Sequence, residues 1–391
     1  MFQKQKKESK TGSPDSAMYS LIFRIVRLWL GNRQQIIIDD RLLKDAEAPY
    51  VMLVNHESFY DFYYVSKLSH PKRPSYLVNE YYCTRPILKH MARRGGILSK
   101  KLFTRDMGTA VGLLRMIRKG FPVVIFPEGR LSPDGRSNPI VEKGGALYKK
   151  LKVDLVLTKI DGAYFSAPKW RKKNFRCPIR ISVERVLKRE ALQHMSADEI
   201  DDVVEAVLFN DASASAFSLY PQRNKAVGLE TILYRCADCG ALYRTKGVGN
   251  DLICSACGRR HTLDEHYRFT DEIGSIPAYY DRIRLREAEE LDAISLSCAV
   301  RTKIHGADGG PVRWEHGACT LSADGFRYET DSAAFSVPLD SLPALAFSCG
   351  EEFELYYKDE LYYFYPKEQP VQVARWALVV DLLNEKKNAA R

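Results

Sequence analysis

Two short strings of side chains could carry chemistry in this sequence. The first is NHESFYD at residues 55–61, which places a histidine and an acid, His56 and Asp61, five positions apart. The second is FPEGR at residues 126–130, which joins an acid, a glycine and an arginine. An imidazole steadied by a carboxylate can take a proton from a hydroxyl near neutral pH. A guanidinium offers a planar fork of donors that suits phosphate. Together the strings indicate a site that activates a hydroxyl beside a bound anion.

Each string follows a run that predicts a buried strand, at residues 50–54 and 122–126. Ligands of open α/β sheets bind outside the carboxyl ends of the strands, so both strings are expected at that edge. Helix neighbours lie three or four positions apart, so His56 and Asp61 can meet only if His56 lies in the turn before a helix and Asp61 one turn inside it. The alternatives are a structural histidine that caps a helix and, for the second string, an ordinary turn with a surface ion pair.

In order and separation the strings resemble the motifs N-H-x4-D and F-P-E-G of the glycerolipid acyltransferase family, over about residues 21–220. These enzymes acylate glycerol phosphate and lysophospholipids. The resemblance implies that His56 is the general base and that Asp61 orients it. It also implies that the acceptor's phosphate is held by Glu128, Gly129 and Arg130.

Two departures from the family pattern concern the acceptor. Many members have a residue between the glycine and the arginine, whereas here Arg130 directly follows Gly129. That form is similar to the acyltransferases that re-acylate lysophosphatidylethanolamine. The family's second motif is matched loosely by residues 95–101, where Lys101 stands in place of the expected arginine. A lysine can still neutralise a phosphate as a point charge, so Lys101 is a further candidate for substrate binding.

Four of the nine cysteines form two C-x-x-C-G knuckles separated by 14 residues. Two knuckles of this kind supply four thiolates to one tetrahedral metal ion, and such a closed site is structural because it leaves no position for water. Zinc is the first expectation and iron the second. Two disulfides are the alternative, which a reducing cytosol disfavours because it keeps cysteines as thiolates. The expected ligands are Cys236, Cys239, Cys254 and Cys257.

The pattern of strands and helices predicts an α/β domain with a mixed sheet flanked by helices, then a small zinc ribbon, then a mainly-β, barrel-like domain that ends in a helix. The order of elements in the last part resembles a pleckstrin-homology-like or GRAM-like barrel. The predicted divisions are a disordered basic tail (1–16), an amphipathic membrane-interface helix and the segment after it (17–40), the acyltransferase-like domain (41–225), the zinc ribbon (228–264), a connecting helix (265–291) and the β-rich domain (292–391).

Charge and hydropathy indicate contact with an anionic surface. The net charge of +10 is unevenly spread: from Asp292 onward 10 basic residues face 15 acidic ones, so residues 1–291 carry +15. No stretch reaches the roughly 18 apolar residues of a transmembrane span, and no secretory signal is present. Residues 18–31 place Ser20, Arg24 and Arg27 on one stripe of an otherwise apolar helix, which suits a membrane interface; packing on the core is the alternative. Residues 169–173 (KWRKK) are a second candidate for membrane contact, with a solvated run of charges as the alternative.

These observations lead to one functional expectation and its rivals. The resemblance implies an O-acyltransferase of phospholipid biosynthesis, cytoplasmic and bound peripherally to the inner face of the membrane. It would move a fatty acyl group from acyl-CoA or acyl-carrier protein to a lysophospholipid, with 1-acyl-sn-glycerol 3-phosphate as the first candidate. A lysophosphatidylethanolamine-type acceptor and a non-catalytic membrane- or nucleic-acid-binding adaptor are the rivals. Nucleic acid is disfavoured as a partner because Tyr243 is the one aromatic residue between the knuckles. The oligomeric state stays open.

Overall fold

A computed structural model describes residues 14–30, 35–79, 94–100, 107–140, 143–215, 219–306, 311–358 and 360–389. Most of the predicted basic tail lies outside these ranges, and so does Lys101, so neither expectation is addressed by the described residues. Among the described helices, none is both long and apolar enough to cross a bilayer.

The first unit is a seven-stranded sheet in the order β1-β7-β6-β2-β5-β3-β4. Its described pairs are parallel except β6 with β7, so the predicted mixed α/β sheet is confirmed. The central strand β2 pairs with β5 on one side and β6 on the other, and all five of its residues are buried. The strands are β1 (Ile36–Asp39), β2 (Tyr50–Val54), β3 (Ser75–Asn79), β4 (Leu98–Lys100), β5 (Val123–Ile125), β6 (Asp154–Asp161) and β7 (Ile179–Leu187).

Helices cover both faces of this sheet. Successive residues of a strand point to opposite faces. Accordingly Met52 and Val54 join the core beneath α1 and α2, whereas Leu53 joins the core on the other side. The helices of this unit are α1 (Ser16–Leu30), α2 (Asp61–Ser69), α3 (Met107–Arg118), α4 (Gly145–Leu151), α5 (Ala163–Ser166), α6 (Arg189–His194) and α7 (Ala197–Leu208).

A three-stranded antiparallel sheet carries the cysteine knuckles and leads into a helix. Its order is β10-β9-β8, formed by β8 (Thr245–Val248), β9 (Asp251–Cys254) and β10 (Arg260–Thr262). The helix that follows, α8 (Ile276–Glu289), begins at Ser275, whose hydroxyl accepts the N–H of Ala278. An N-cap of this kind satisfies one of the free N–H groups at a helix start.

The C-terminal unit is a seven-stranded antiparallel sheet with a helix packed on one face. Its order is β14-β13-β12-β11-β17-β16-β15, so β14 and β15 are the edges of an open sheet in the described residues. The indole of Trp376 on the final helix stacks on Phe353 with ring centroids 5.1 Å apart. The elements are β11 (Ser295–His305), β12 (Val312–Ser322), β13 (Gly325–Glu329), β14 (Ala334–Pro338), β15 (Ala346–Ser348), β16 (Glu352–Tyr357), β17 (Glu360–Pro366) and α9 (Val373–Ala389).

The three units share one continuous apolar core. Tyr267, in the loop after the cysteine-bearing sheet, stacks on Phe165 of α5 with ring centroids 4.4 Å apart. Beside this contact, Trp170 is 4% exposed and donates its indole N–H to the Tyr164 hydroxyl at 3.0 Å. The expectation that residues 169–173 present an aromatic side chain to a membrane is therefore wrong, because that ring belongs to the core.

Candidate active site

The end of β2 is fixed by the side chain of Asn55. Its amide donates to the carbonyl of Ile160 at 2.8 Å and accepts the N–H of the same residue at 2.7 Å. An asparagine side chain that bonds both the N–H and the C=O of one residue on a neighbouring strand takes the place of one further pair of sheet hydrogen bonds. The chain therefore leaves the sheet at a defined position, and His56 stands at its carboxyl edge.

His56 and Asp61 contact each other. The imidazole Nδ1 lies 2.9 Å from Asp61 Oδ2, and Asp61 is completely buried. Three further donors reach the same carboxylate: the N–H groups of Glu57 and Ser58 at 2.7 and 2.9 Å, and the Ser58 hydroxyl at 2.7 Å. Asp61 is the first residue of α2, so the expectation that it lies one turn inside the helix is wrong. The turn at residues 55–60 is instead tight enough to close the contact from the helix start.

The geometry selects one tautomer of His56. An ionised carboxylate only accepts hydrogen bonds, so Nδ1 carries the proton and Nε2 holds a free lone pair in the neutral ring. The ring stacks on Phe126 with centroids 4.4 Å apart, and the side chain keeps 22% of its surface exposed. A fixed and partly accessible Nε2 can take a proton from a bound hydroxyl.

Glu128 ties the two strings together. Its Oε1 accepts the N–H of His56 at 2.8 Å, and its Oε2 accepts the N–H of Asn138 at 2.6 Å and the side-chain amide of Asn138 at 3.1 Å. Burial raises the pKa of Glu128 to about 7, although these N–H groups favour the carboxylate. Its contacts are thus with the protein's own donors, and a direct contact with the acceptor's phosphate stays a prediction.

Arg130 is delivered to the same edge by a glycine turn. Gly129 has a φ of +69°, a backbone conformation that favours glycine, and its N–H donates to the carbonyl of Phe126 at 3.1 Å. The Arg130 guanidinium forms a bidentate ion pair with Asp381 of α9, with distances of 3.2 and 2.6 Å. The arginine expected to meet a phosphate therefore meets a carboxylate of the C-terminal unit.

Two residues that support the site were missed from the sequence. Glu57 is buried and accepts the N–H groups of Ala163 and Tyr164 at 2.8 and 3.0 Å, which anchors the first string to the start of α5. Desolvation, with repulsion from Asp161 and Asp61, holds the pKa of Glu57 well above its usual range. Asn138 braces Glu128. Neither has a local sequence signal, because their partners lie in other segments of the chain.

The four predicted metal ligands are brought together. Their sulfur atoms all lie within 4.8 Å of one another, and the pairs Cys236–Cys257 and Cys239–Cys254 are 3.8 Å apart. Sulfur atoms on a tetrahedron with zinc–sulfur bonds of about 2.3 Å are separated by about 3.8 Å. The glycine after each knuckle, Gly240 or Gly258, has a φ of +75°. The cluster therefore has the size and turn geometry that a zinc ion requires.

Part of the chain is similar to a known family of acyltransferases. Residues 35–156 match the model of the family described as Acyltransferase, a segment that contains both strings. The crystal structure of the 1-acyl-sn-glycerophosphate (LPA) acyltransferase PlsC from Thermotoga maritima is similar at a TM-score of 0.40 and 16% sequence identity, over 49% of this chain and 76% of that one. No curated protein matches the chain significantly in sequence.

Proposed function

Because residues 35–156 carry the sequence signature of the acyltransferase family, we propose that the protein moves a fatty acyl group from acyl-CoA or acyl-carrier protein to the hydroxyl of a lysophospholipid. The observation that carries the proposal is the hydrogen bond between His56 and Asp61, which leaves Nε2 as an acceptor at the edge that bears Arg130. The leading candidate for the acceptor is 1-acyl-sn-glycerol 3-phosphate. A lysophosphatidylethanolamine-type acceptor is second, since Arg130 directly follows Gly129.

In this proposal the transfer is direct. Nε2 of His56 takes the proton of the acceptor hydroxyl as that oxygen attacks the thioester carbonyl carbon. The carbon–sulfur bond then breaks, and the imidazolium returns the proton to the departing thiolate, which gives an ester and a free thiol. Asp61 keeps the ring in one tautomer and stabilises its charged form. The Ser58 hydroxyl donates to Asp61, so it supports the carboxylate and is not used as a nucleophile.

The purified full chain is expected to consume acyl-CoA or acyl-carrier protein only when a lysophospholipid is present. The measurement is thiol release together with product mass, on a panel of 1-acyl-sn-glycerol 3-phosphate, lysophosphatidylethanolamine and lysophosphatidylcholine. The family signature and the free Nε2 predict turnover on at least one phosphate-bearing acceptor. Absence of product with every donor and acceptor pair would remove the enzyme proposal in favour of a binding role.

The cysteine cluster is proposed to hold a structural zinc ion. The fit rests on the sulfur separations and on four ligands that leave no open position, so no step of the transfer passes through this site. Arg286 of α8 donates to the carbonyls of Ala237 and Asp238 in the first knuckle, at 3.3 and 3.1 Å. The knuckle is therefore connected to α8, and we assign the metal-bearing sheet the role of a rigid spacer between the first unit and the C-terminal unit.

The helix α1 is proposed to rest on the membrane that holds the acceptor. One side of it packs on α2, where Tyr19 lies 3.0 Å from the Ser66 hydroxyl and Phe23 contacts Tyr63. The other side exposes 49% of Leu21, 43% of Ile25 and 75% of Leu28 beside exposed arginines. An apolar stripe with basic neighbours suits the interface of an anionic bilayer. Thiolate ligands also need a reducing compartment. The exposed surface of α1 and the thiolates together support a peripheral position on the cytoplasmic face of the membrane.

Vesicle binding tests the role of α1. The double change Ile25→Glu with Leu28→Glu is expected to abolish sedimentation of the full chain with vesicles of phosphatidylcholine and phosphatidylglycerol in equal parts, because two carboxylates would enter the interface. Val248→Glu is the matched control, since Val248 is an exposed apolar residue of the cysteine-bearing sheet. Equal sedimentation of the double variant and the wild type would exclude α1 as the contact.

A further inference from the structure

The arginine of the second string is already paired with an anion from the far end of the chain. Arg130 and Asp381 are separated by 251 positions, and both side chains are largely buried, at 13% and 20% exposure. Two nitrogens of the guanidinium contact the two oxygens of the carboxylate. A bidentate contact of this form is how arginine binds both carboxylate and phosphate. The C-terminal unit therefore places a carboxylate at the donors that phosphate would use.

A second cation, Lys169, lies close enough to this pair to interact electrostatically with Arg130 and Asp381. Lys169 is half-buried, and its ammonium stands 3.4 Å from the ring centroid of Phe347 on β15. Among the described residues, no acceptor forms a hydrogen bond or ion pair with this ammonium. Burial lowers the pKa of Lys169 to about 8, and Arg130 adds to the effect, whereas Cys349, Asp381 and Glu354 oppose it. A half-buried ammonium that has no directly bonded anion among the described residues would be stabilised by an anionic ligand.

Both cations lie where the C-terminal unit covers the carboxyl edge of the first sheet. Tyr356 of β16 donates its hydroxyl to the side chain of Asn79, the last residue of β3, at 3.2 Å. Arg130 comes two positions after Glu128, which holds the backbone of His56. One continuous set of contacts thus connects the imidazole, the guanidinium and the C-terminal unit.

We propose that Arg130 and Lys169 together bind the phosphate of the acceptor, and that Asp381 is the resident carboxylate which this phosphate replaces. The inference rests on the proposed function, because it assigns the ligand of that same site. Two cations suit a phosphate better than one, and Lys169 gains a directly bonded anion. Asp381 then competes with the acceptor for Arg130. By linkage, whatever weakens the hold of Asp381 strengthens acceptor binding, and acceptor binding loosens the contact of α9.

Two substitutions with opposite expected signs test this site. Lys169→Gln is expected to raise the KM for 1-acyl-sn-glycerol 3-phosphate by about 10- to 100-fold, the usual range for losing a hydrogen bond to a charged group, with kcat little changed. Asp381→Asn keeps the shape of the side chain but removes the competing charge, so the KM is expected to fall by about 10-fold.

The chain offers a matched control for each change. Lys172→Gln makes the same substitution at an exposed position of the same loop. Glu385→Gln neutralises an exposed carboxylate on the same helix, one that pairs with Arg284. Both controls should leave KM and kcat unchanged. Lys169→Arg keeps the positive charge and is expected to retain acceptor binding, which separates a lost charge from a misfolded loop.

Binding of sn-glycerol 3-phosphate, measured by calorimetry, keeps the inference separate from acyl transfer. The expected order of affinity is Asp381→Asn, then wild type, then Lys169→Gln, with neutral glycerol failing to bind. If the affinities follow this order but the protein shows no acyl transfer, the phosphate site is supported and the enzyme proposal is removed. Affinity lowered by Asp381→Asn would make Asp381 a structural clamp and overturn the competition. Unchanged affinity in Lys169→Gln would remove Lys169 from the site.

Discussion

Replacing His56 with alanine is expected to lower kcat for acyl transfer by about 10²–10⁴-fold, the usual contribution of a placed general base. The KM of the acceptor should change little, because the imidazole acts on the hydroxyl proton and the phosphate is held elsewhere. The measurement is initial rate against acceptor concentration for the full chain. His70→Ala is the matched control, since His70 is an exposed histidine just past the end of α2. Full turnover in His56→Ala would falsify the base assignment.

Asp61 is expected to act through His56, and a double-variant cycle can show it. In Asp61→Asn the side chain presents a donor to a position where three N–H groups and one hydroxyl already point. The ring then loses its fixed tautomer, so Asp61→Asn alone should lower kcat. The double variant with His56→Ala should be no slower than His56→Ala alone, because residues that act as one unit are not additive. Multiplied losses would instead indicate two independent roles.

The elements that carry the site could be predicted because their signals are local. The β2 strand is a run of five apolar residues that is buried on both faces, and its bounds were predicted correctly. The start of α7 has a local signal of the same kind. Ser196 and Glu199 form the capping box that their spacing predicts, with each side chain bonded to the backbone of the other residue. Patterns of this kind depend on neighbours within one turn or one strand.

The contacts that complete the site could not be read from any pattern. Asp381 is an ordinary acid within an apolar helix, and nothing near it in sequence points to Arg130. Glu57 meets α5 more than a hundred positions later, and Asn138 reaches Glu128 across a loop. Their roles arise from how the units pack. The motifs therefore predicted which groups come together at one edge of the sheet, whereas the partners that hold those groups needed the fold.

Removal of the metal is expected to unfold the cysteine-bearing sheet and then to reduce activity. A small three-stranded unit buries too little apolar surface to be stable alone, and structural zinc supplies about 10–16 kcal/mol of binding free energy to sites of this kind. Changing Cys254 and Cys257 to serine leaves two ligands, so tight binding should be lost. The expected results are one zinc per wild-type chain by elemental analysis, none in the double variant, and rapid proteolysis near β8 and β9.

Loss of the metal should affect the active site through α8. Arg286 of this helix holds the first knuckle, and Asp281, five residues earlier, pairs with Arg136 at 2.9 and 2.7 Å. Arg136 lies in the loop that starts at Arg130, so a loosened α8 removes one support of that loop. Ser255→Ala, an exposed change within the second knuckle, should keep both metal and turnover. If a strong chelator strips the metal while melting temperature and acyl transfer stay the same, the metal is not the support that the cysteine cluster predicts.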